Sequence, residues 1–171
     1  MGRDRVRLHV LTAATRPENF PAMYESIYAA NHPDWQVYWH ILHLDGDHVG
    51  GQTVKNWLLD ELEMDDGWVY ILDDDNLMHP AFLSRTAAML KKHPETQILF
   101  VARVEHGNVF QPEVKVGHID IGQALIRLDL IEDLRIPDLY DGDGWFLQTL
   151  VGKAKDSLFV AEPLSFYNRL R

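Results

Sequence analysis

Three consecutive aspartates, Asp73, Asp74 and Asp75, are the strongest chemical signal in the sequence. They directly follow residues 68–72, a continuous apolar run that is typical of a buried strand. In an extended segment, Asp73 and Asp75 would point to one side and Asp74 to the other. Adjacent carboxylates repel each other, and two on one side could bind Mg²⁺ or Mn²⁺ through oxygen. We therefore predict a divalent-metal site that leaves coordination positions free for diphosphate oxygens.

Other acidic sites fit the sequence less well. A solvated turn, in which one aspartate caps the next helix, is the structural alternative. A calcium loop of the EF-hand type needs a glutamate at its twelfth position, and counting from Asp73 gives Ser84. Phosphatases with an Asp-x-Asp motif and phosphoreceiver proteins carry acidic residues after the first strand, where residues 12–15 have none. The position at a strand's carboxyl end favours ligand binding.

Charge and composition exclude several classes of function. The 171 residues carry a formal net charge of −10 and include no cysteine. Without a basic stripe, nucleic-acid binding is not expected, and disulfides and thiolate metal sites are excluded. No apolar run is long enough for a transmembrane segment, and no secretory signal is visible, so we predict a cytoplasmic protein. An acidic chain that binds phosphate needs a cation or backbone N–H groups.

Alternating strands and helices position the aspartates in the first half of the chain. Strands are predicted at 5–12, 35–44 and 68–72, and helices at 19–30, 53–63 and from about residue 80. The second strand is apolar on both faces, which is typical of a sheet covered on both sides. The second helix has its apolar stripe at Val54, Trp57, Leu58 and Leu62. This order predicts a doubly wound α/β sheet.

The second half is less regular, and we assign the whole chain, 1–171, to one domain. Strands are predicted at 98–104, 119–128 and 157–161, a loop with short β segments at 109–118, a helix at 145–151, and a tail at 163–171. The prediction is therefore an α/β protein with a mixed second half.

Three motifs lie at the ends of successive predicted strands, at residues 10–17, 44–47 and 71–76. Together they resemble the GT-A glycosyltransferases, and are closest to the inverting glycosyltransferase family 2. Residues 120–127 and 142–146 are similar to that family's Gly…Arg segment and its later acidic motif. The resemblance covers most of the chain. It implies a Rossmann-like fold for nucleotide-diphospho-sugar transfer, with a mostly parallel central sheet and an irregular second half.

The resemblance also implies a nucleotide site at these strand ends. The residues expected to contact the nucleotide are Thr12, Ala13, Thr15, Arg16, Asp45, Asp73 and Asp74. Asp45 would accept a hydrogen bond from the base, which suits the N–H of uracil, although a turn former before Gly46 is an equal alternative. Mn²⁺ or Mg²⁺ would be held by Asp73 and Asp75. His118 is the later ligand that we favour, with Asn168 as its alternative.

Inversion requires a base that removes the proton of the acceptor hydroxyl. Asp143 matches the family's acidic motif best, although the chain has Gly142 where the family has glutamate, and Asp143 could instead cap a helix. Asp120 and Asp141 are the alternatives. Retaining GT-A enzymes share the metal motif and need no such base.

The predicted function is metal-dependent transfer of a sugar from a nucleoside-diphosphate donor, with UDP expected, to a hydroxyl-bearing acceptor. The chain is short for this family, so a partner subunit, such as a second copy in a homo-oligomer, could complete the acceptor side. Two alternatives remain open: an inactive nucleotide- or sugar-binding module, and a sugar-nucleotide nucleotidyltransferase. The latter usually has a glycine-rich loop after the first strand, and residues 12–17 contain no glycine.

Overall fold

The computed structural model describes residues 5–43, 51–62 and 67–171. Within them the strands are β1 (Val6–Ala14), β2 (Trp35–His43), β3 (Trp68–Ile71), β4 (Leu77–Met78), β5 (Ile98–Glu105), β6 (Asn108–Phe110), β7 (Ala124–Arg127) and β8 (Ser157–Phe166). The α-helices are α1 (Phe20–Ala29), α2 (Gln52–Asp60), α3 (Phe82–Lys92), α4 (Leu128–Ile131) and α5 (Gly142–Lys153). Short 3₁₀ turns lie at Pro17–Asn19 and Ile121–Gln123.

The described strands form one sheet in the order β2-β1-β3-β7-β5-β8-β4, with β6 paired to β5. Parallel pairs join β1 to β2 and β3, and β5 to β8. The short strands β4, β6 and β7 pair antiparallel with their neighbours. The prediction of an α/β fold with a mostly parallel central sheet and a mixed second half is confirmed.

Both faces of the sheet centre are covered by helices. On one face, α2, α4 and α5 pack over a cluster that includes Leu11, Ile71 and Phe100. On the other face, α1 and α3 pack over a cluster that includes Val10 and Tyr70. Because β1 and β3 are neighbouring parallel strands buried on both faces, their carboxyl ends open at the same edge of the sheet, where the predicted motifs lie.

Strand β2 is less covered than its sequence predicted. Trp35 is buried, but Tyr38 and Ile41 are exposed. Among the described strands β2 pairs only with β1, so it is an edge strand and its outer side chains remain partly in water.

The buried face of α2 also differs from the prediction. Trp57 is 47% exposed, whereas Lys55 is only 1% exposed. Lys55 precedes Leu58 and Leu59 by three and four positions, so it shares their helix face. An ion pair with Asp73 compensates the charge of its buried ammonium group, which allows a lysine to lie on the inner face of the helix.

Two predicted segments in the second half were wrong. Residues 119–128 do not form one strand, because Asp120 caps a 3₁₀ turn by accepting a hydrogen bond from the N–H of Gly122 at 2.8 Å, and β7 begins only at Ala124. The predicted tail from residue 163 instead continues β8 to Phe166. Its register against β5 shifts next to Pro163, which has no N–H to donate.

No helix in the part of the chain that the structure describes has the length and apolar character to cross a bilayer.

Candidate active site

A cleft with two lobes opens at the carboxyl ends of β1 and β3. The inner lobe has a volume of about 240 Å³ and reaches to Lys55, Asp120 and Asp143. The outer lobe has a volume of about 300 Å³ and is lined by Thr15, Arg16 and the three strand-end aspartates. Asp73, Tyr140, Tyr167 and Arg171 line both lobes. Asp73 therefore stands at the junction of the cleft.

Three carboxylates meet at the bottom of the inner lobe. Oxygens of Asp73, Asp120 and Asp143 all lie within 4.8 Å of one another. The ammonium group of Lys55 lies 2.9 Å from Oδ1 of Asp73 and 3.8 Å from Oδ1 of Asp143. A buried side-chain cation thus already compensates part of this charge.

The electrostatics of this cluster follow from burial and proximity. Burial alone would lower the pKa of Lys55, but the carboxylates of Asp73 and Asp143 raise it above its ordinary value, so the ammonium group stays charged. Burial raises the pKa of Asp73, the nearby charge of Asp143 adds to this, and Lys55 opposes it.

Asp120 is the most buried of the three aspartates. Burial, followed by the charges of Asp73 and Asp143, raises the pKa of Asp120 to about 8. One of its oxygens already accepts the hydrogen bond from Gly122. This carboxyl group therefore holds a proton more tightly than an ordinary aspartate does, and one of its oxygens is committed to the cap.

Asp143 lies in the first turn of α5, and close packing fixes this turn. A Cβ atom at Gly142 would lie 2.1 Å from the carbonyl oxygen of Pro137, and one at Gly144 would lie 2.7 Å from Cα of Val116. The backbone can pack this closely on both sides of Asp143 only because residues 142 and 144 are glycines. The Oδ1 atom of Asp143 is buried and has no hydrogen-bond partner in the described part of the chain.

Asp74 organises the turn that follows β1. Its Oδ2 atom accepts hydrogen bonds from the hydroxyl of Thr15 at 2.9 Å and from the backbone N–H of Arg16 at 2.8 Å. Its Oδ1 atom accepts one from the guanidinium of Arg16 at 2.7 Å. Asp74 therefore shapes the wall of the outer lobe.

Asp75 is paired with two arginines. Its Oδ2 atom lies 3.0 Å from Nη1 of Arg16 and 2.6 Å from Nε of Arg171. The predicted alternation of the aspartates was wrong, because Asp73 begins a turn in which its carbonyl accepts the N–H of Asn76, and Asp74 and Asp75 reach the same arginine. A turn, unlike a strand, does not alternate its side chains.

Several predicted nucleotide contacts do line the outer lobe, namely Ala13, Thr15, Arg16, Asp73 and Asp74. Thr12 lies beneath it, fully buried, and its hydroxyl donates to the carbonyl of Leu72 and accepts from the indole N–H of Trp39. Asp45 falls outside the described residues.

The predicted late residues take different positions. His118 and Asp141 both line the inner lobe. His118 is half exposed, and its Nδ1 atom lies 3.6 Å from Glu113, away from the three-carboxylate cluster. Asn168 lines the outer lobe, and its Oδ1 atom is buried without a partner among the described residues.

Sequence reasoning missed several residues of the cleft, among them the polar side chains of Gln52, Lys55, Arg103 and Arg171. Lys55 carried a usable signal, since it is a lone charge on the apolar face of α2. The other three carried none. Gln52 begins α2, Arg103 lies on β5 and Arg171 follows β8, and only the packing of these separate elements brings them to one cleft.

Comparison with protein-family models and with curated proteins gives no match. Among solved structures, Staphylococcus aureus TarS residues 1–349 is similar, with a TM-score of 0.73 and 15% identity over 94% of this chain and 60% of that one. The same TarS fragment in complex with UDP-GlcNAc gives 0.72 and 16% over 94% and 58%. A longer TarS chain gives 0.73 and 13% over 94% and 36%.

The chain therefore spans 60% or less of these TarS chains. TarS is a GT-A-like glycosyltransferase, and the likeness over nearly the whole chain confirms the predicted GT-A fold.

Proposed function

We propose that this chain is a metal-dependent glycosyltransferase that moves a sugar from a nucleoside-diphosphate donor, with UDP expected, to a hydroxyl-bearing acceptor. The observation that carries the proposal is the position of Asp73. On a GT-A fold it joins an outer lobe with two arginines to an inner lobe with three carboxylates. The UDP-GlcNAc complex of the structurally similar TarS supports the choice of donor.

The outer lobe suits the diphosphate. Arg16 and Arg171 supply guanidinium groups, which bind phosphate oxygens well. Because both arginines are paired with Asp74 or Asp75, the lobe also needs a bound cation to meet the requirement set by the net charge of −10. We assign the nucleotide to this lobe.

The ligands near the outer lobe fit a hard divalent cation. Asp73, Asp75 and Asn168 would hold Mn²⁺ or Mg²⁺, because carboxylate and amide oxygens suit these ions and Oδ1 of Asn168 is buried without a partner among the described residues. When bound, the ion would neutralise charge on the leaving diphosphate. Asp120 and Asp143 are less suited, because they line only the inner lobe and not the outer lobe that we assign to the diphosphate.

We assign Asp143 as the base of an inverting transfer. The acceptor oxygen attacks the anomeric carbon, the bond from that carbon to the diphosphate breaks, and Asp143 takes the proton of the acceptor hydroxyl. Its Oδ1 atom accepts no hydrogen bond from the described residues, with the Lys55 ammonium 3.8 Å away, which supports this role. Asp120 serves as a cap with a raised pKa, and Asp141 lies at the start of α5, outside the carboxylate cluster.

The test measures UDP binding by calorimetry and UDP release from UDP-sugars with Mn²⁺. We expect Asp143→Asn to bind UDP as the wild type does but to lose about 10²- to 10⁴-fold in transfer rate. Asp138→Asn, in the exposed loop before α5, is the matched control and should keep the wild-type rate.

Three outcomes would count against the proposal. Binding of UDP with no release from any donor would support the inactive-module alternative. A loss in Asp141→Asn, with none in Asp143→Asn, would overturn the choice of base. Absence of both UDP binding and UDP release would contradict the proposed function altogether.

A further inference from the structure

Besides Asp143, two residues that line the inner lobe have buried polar atoms without a hydrogen-bond partner among the described residues. These atoms are Oε1 of Gln52 and Nε of Arg103. Gln52 is only 2% exposed. Leaving a buried polar group unpaired costs free energy, so such groups are rare and call for a specific reason. Both residues line the same lobe, so one ligand could satisfy both.

The backbone that carries Gln52 is fixed. Gln52 is the first residue of α2 and follows Gly51, which has φ of 68°. A Cβ atom at Gly51 would lie 2.9 Å from Cβ of Ala13, so the start of α2 packs directly against the end of β1. The left-handed φ and this close contact both favour glycine. The Gln52 amide is therefore presented from a rigid element.

Arg103 reaches the lobe from β5, a different element from the helix that carries Gln52. Its Nη1 atom donates to Oε1 of Gln123 at 3.2 Å, and its guanidinium carbon lies 4.7 Å from the ring centroid of Tyr167 and 5.2 Å from that of Phe110. These contacts restrain the guanidinium plane. The Nε–H group is left as a donor without a protein partner among the described residues.

The lobe thus offers an acceptor and a donor in about 240 Å³, below the usual size of a pocket for a drug-sized ligand. Each hydroxyl of a sugar both donates and accepts, and therefore matches this pair. Tyr140, which is 88% exposed, adds an aromatic side chain at the entrance, and aromatic rings provide apolar faces for sugars.

We propose that the inner lobe binds the sugar ring of the donor and that Gln52 and Arg103 determine which sugar is accepted. The inference rests on the proposed function. With the diphosphate in the outer lobe and Asp73 at the junction, the attached sugar enters the inner lobe beside Asp143. Gln52 accepts a hydrogen bond from one sugar hydroxyl, and Nε of Arg103 donates to another.

The test uses four donors: UDP-glucose, UDP-galactose, UDP-GlcNAc and UDP-GalNAc. UDP-glucose and UDP-galactose are one pair of epimers, and UDP-GlcNAc and UDP-GalNAc are the other. Within each pair, only the hydroxyl at C4 of the sugar changes its orientation. For each donor, kcat/KM for UDP release is measured in the wild type and in Gln52→Met, which keeps the length of the side chain but cannot hydrogen-bond through an amide. Gln36→Met, on the exposed edge of β2, is the matched control. Affinity for UDP and Tm are measured in parallel.

We expect Gln52→Met to lower kcat/KM for the preferred donor by about tenfold. The ratio of the kcat/KM values for two epimeric donors should also move closer to one. Affinity for UDP should stay unchanged, because UDP occupies the outer lobe. Tm should stay unchanged or rise, because an unpaired buried amide is removed. Arg103→Lys, which keeps the charge but lacks Nε–H, should also narrow the ratio.

An equal loss for all four donors, or unchanged ratios in both variants, would overturn the assignment of specificity and leave the proposed function intact. A wild-type protein that releases UDP from none of the four donors would contradict both. The two failures are therefore distinguishable.

Discussion

Nζ of Lys55 lies 2.9 Å from Oδ1 of Asp73 beneath the cleft, and the lysine is almost fully buried. In the described part of the chain, this ammonium group is the cation in direct contact with the three-carboxylate cluster. Removing one partner of a buried pair costs more than the pair itself contributes, because the other charge is left without compensation. The pair is therefore expected to hold the base of the site together.

We predict that Lys55→Met lowers the free energy of unfolding by about 3 kcal/mol. We place it at the low end of the range for buried pairs, because the Asp73 side chain is 26% exposed. Urea denaturation without added metal measures this. The double variant Lys55→Met, Asp73→Asn should recover most of the loss. Lys91→Met, which breaks an exposed pair with Asp34, is the control and should cost less than about 1 kcal/mol. Equal losses at Lys55 and Lys91 would contradict the prediction.

Arg171 is predicted to compete with a divalent ion for Asp75. The guanidinium contacts Oδ2, the same oxygen that Arg16 contacts, and is 59% exposed, so solvent weakens the pair. Arg171→Ala should therefore raise the affinity for Mn²⁺, measured by calorimetry without nucleotide, by up to about fivefold.

Arg169→Ala serves as the control for this change, because Arg169 is an exposed arginine of the same segment. It should leave the affinity for Mn²⁺ close to that of the wild type. Weaker binding of Mn²⁺ by Arg171→Ala would show that Arg171 supports the ion site instead of competing for it.

The sequence predicted the features that depend on local pattern. The apolar run ending at Asp73 located the buried strand and the site edge, since both are encoded by neighbouring residues. The order of strand-end motifs predicted the fold. Gly142 and Gly144 are also a local signal. They flank Asp143, which the structure places in the three-carboxylate cluster, and both lie in close packing contacts.

What could not be predicted depends on long-range contacts. Arg171 reaches Asp75 because β8 continues past Pro163. A prediction from local sequence ends this strand before the proline and therefore leaves Asp75 without this partner. The burial of Lys55 depends on Asp73, which lies on a different element. Pattern rules place a lysine in water because they cannot include a partner that arrives from elsewhere in the fold.

His79 is predicted to make stability fall in mild acid. Burial lowers the pKa of His79 below its ordinary value of 6.5, and its Nδ1 atom accepts the N–H of Ala81 at 3.1 Å, which requires that nitrogen to be unprotonated. The unfolded chain therefore binds the proton first. This contribution to stability is full above pH 6.5 and is lost as the pH falls below it.

Asparagine at this position keeps an acceptor without a titrating ring. Chemical denaturation between pH 7 and pH 5 should show a smaller decline for His79→Asn than for the wild type. Part of the decline should remain, because burial also lowers the pKa of His40. Parallel declines in the two proteins would rule out His79 as a source.

Gly142 and Gly152 lie in the same helix and are predicted to respond oppositely to alanine. A Cβ atom at Gly142 would lie 2.1 Å from a backbone oxygen of Pro137, which cannot move aside as a side chain can. Gly142→Ala should therefore cost about 2 kcal/mol or more of unfolding free energy. Because Asp143 directly follows Gly142, the rate of sugar transfer by the Gly142→Ala variant should fall as well.

At Gly152 nothing lies within 4 Å of a Cβ atom, and alanine is a better helix former than glycine. Gly152→Ala should therefore stabilise the protein by up to about 0.5 kcal/mol. Thermal and urea unfolding of the two variants measure the contrast, and a Gly142→Ala protein as stable as the wild type would mean that α5 does not begin against Pro137.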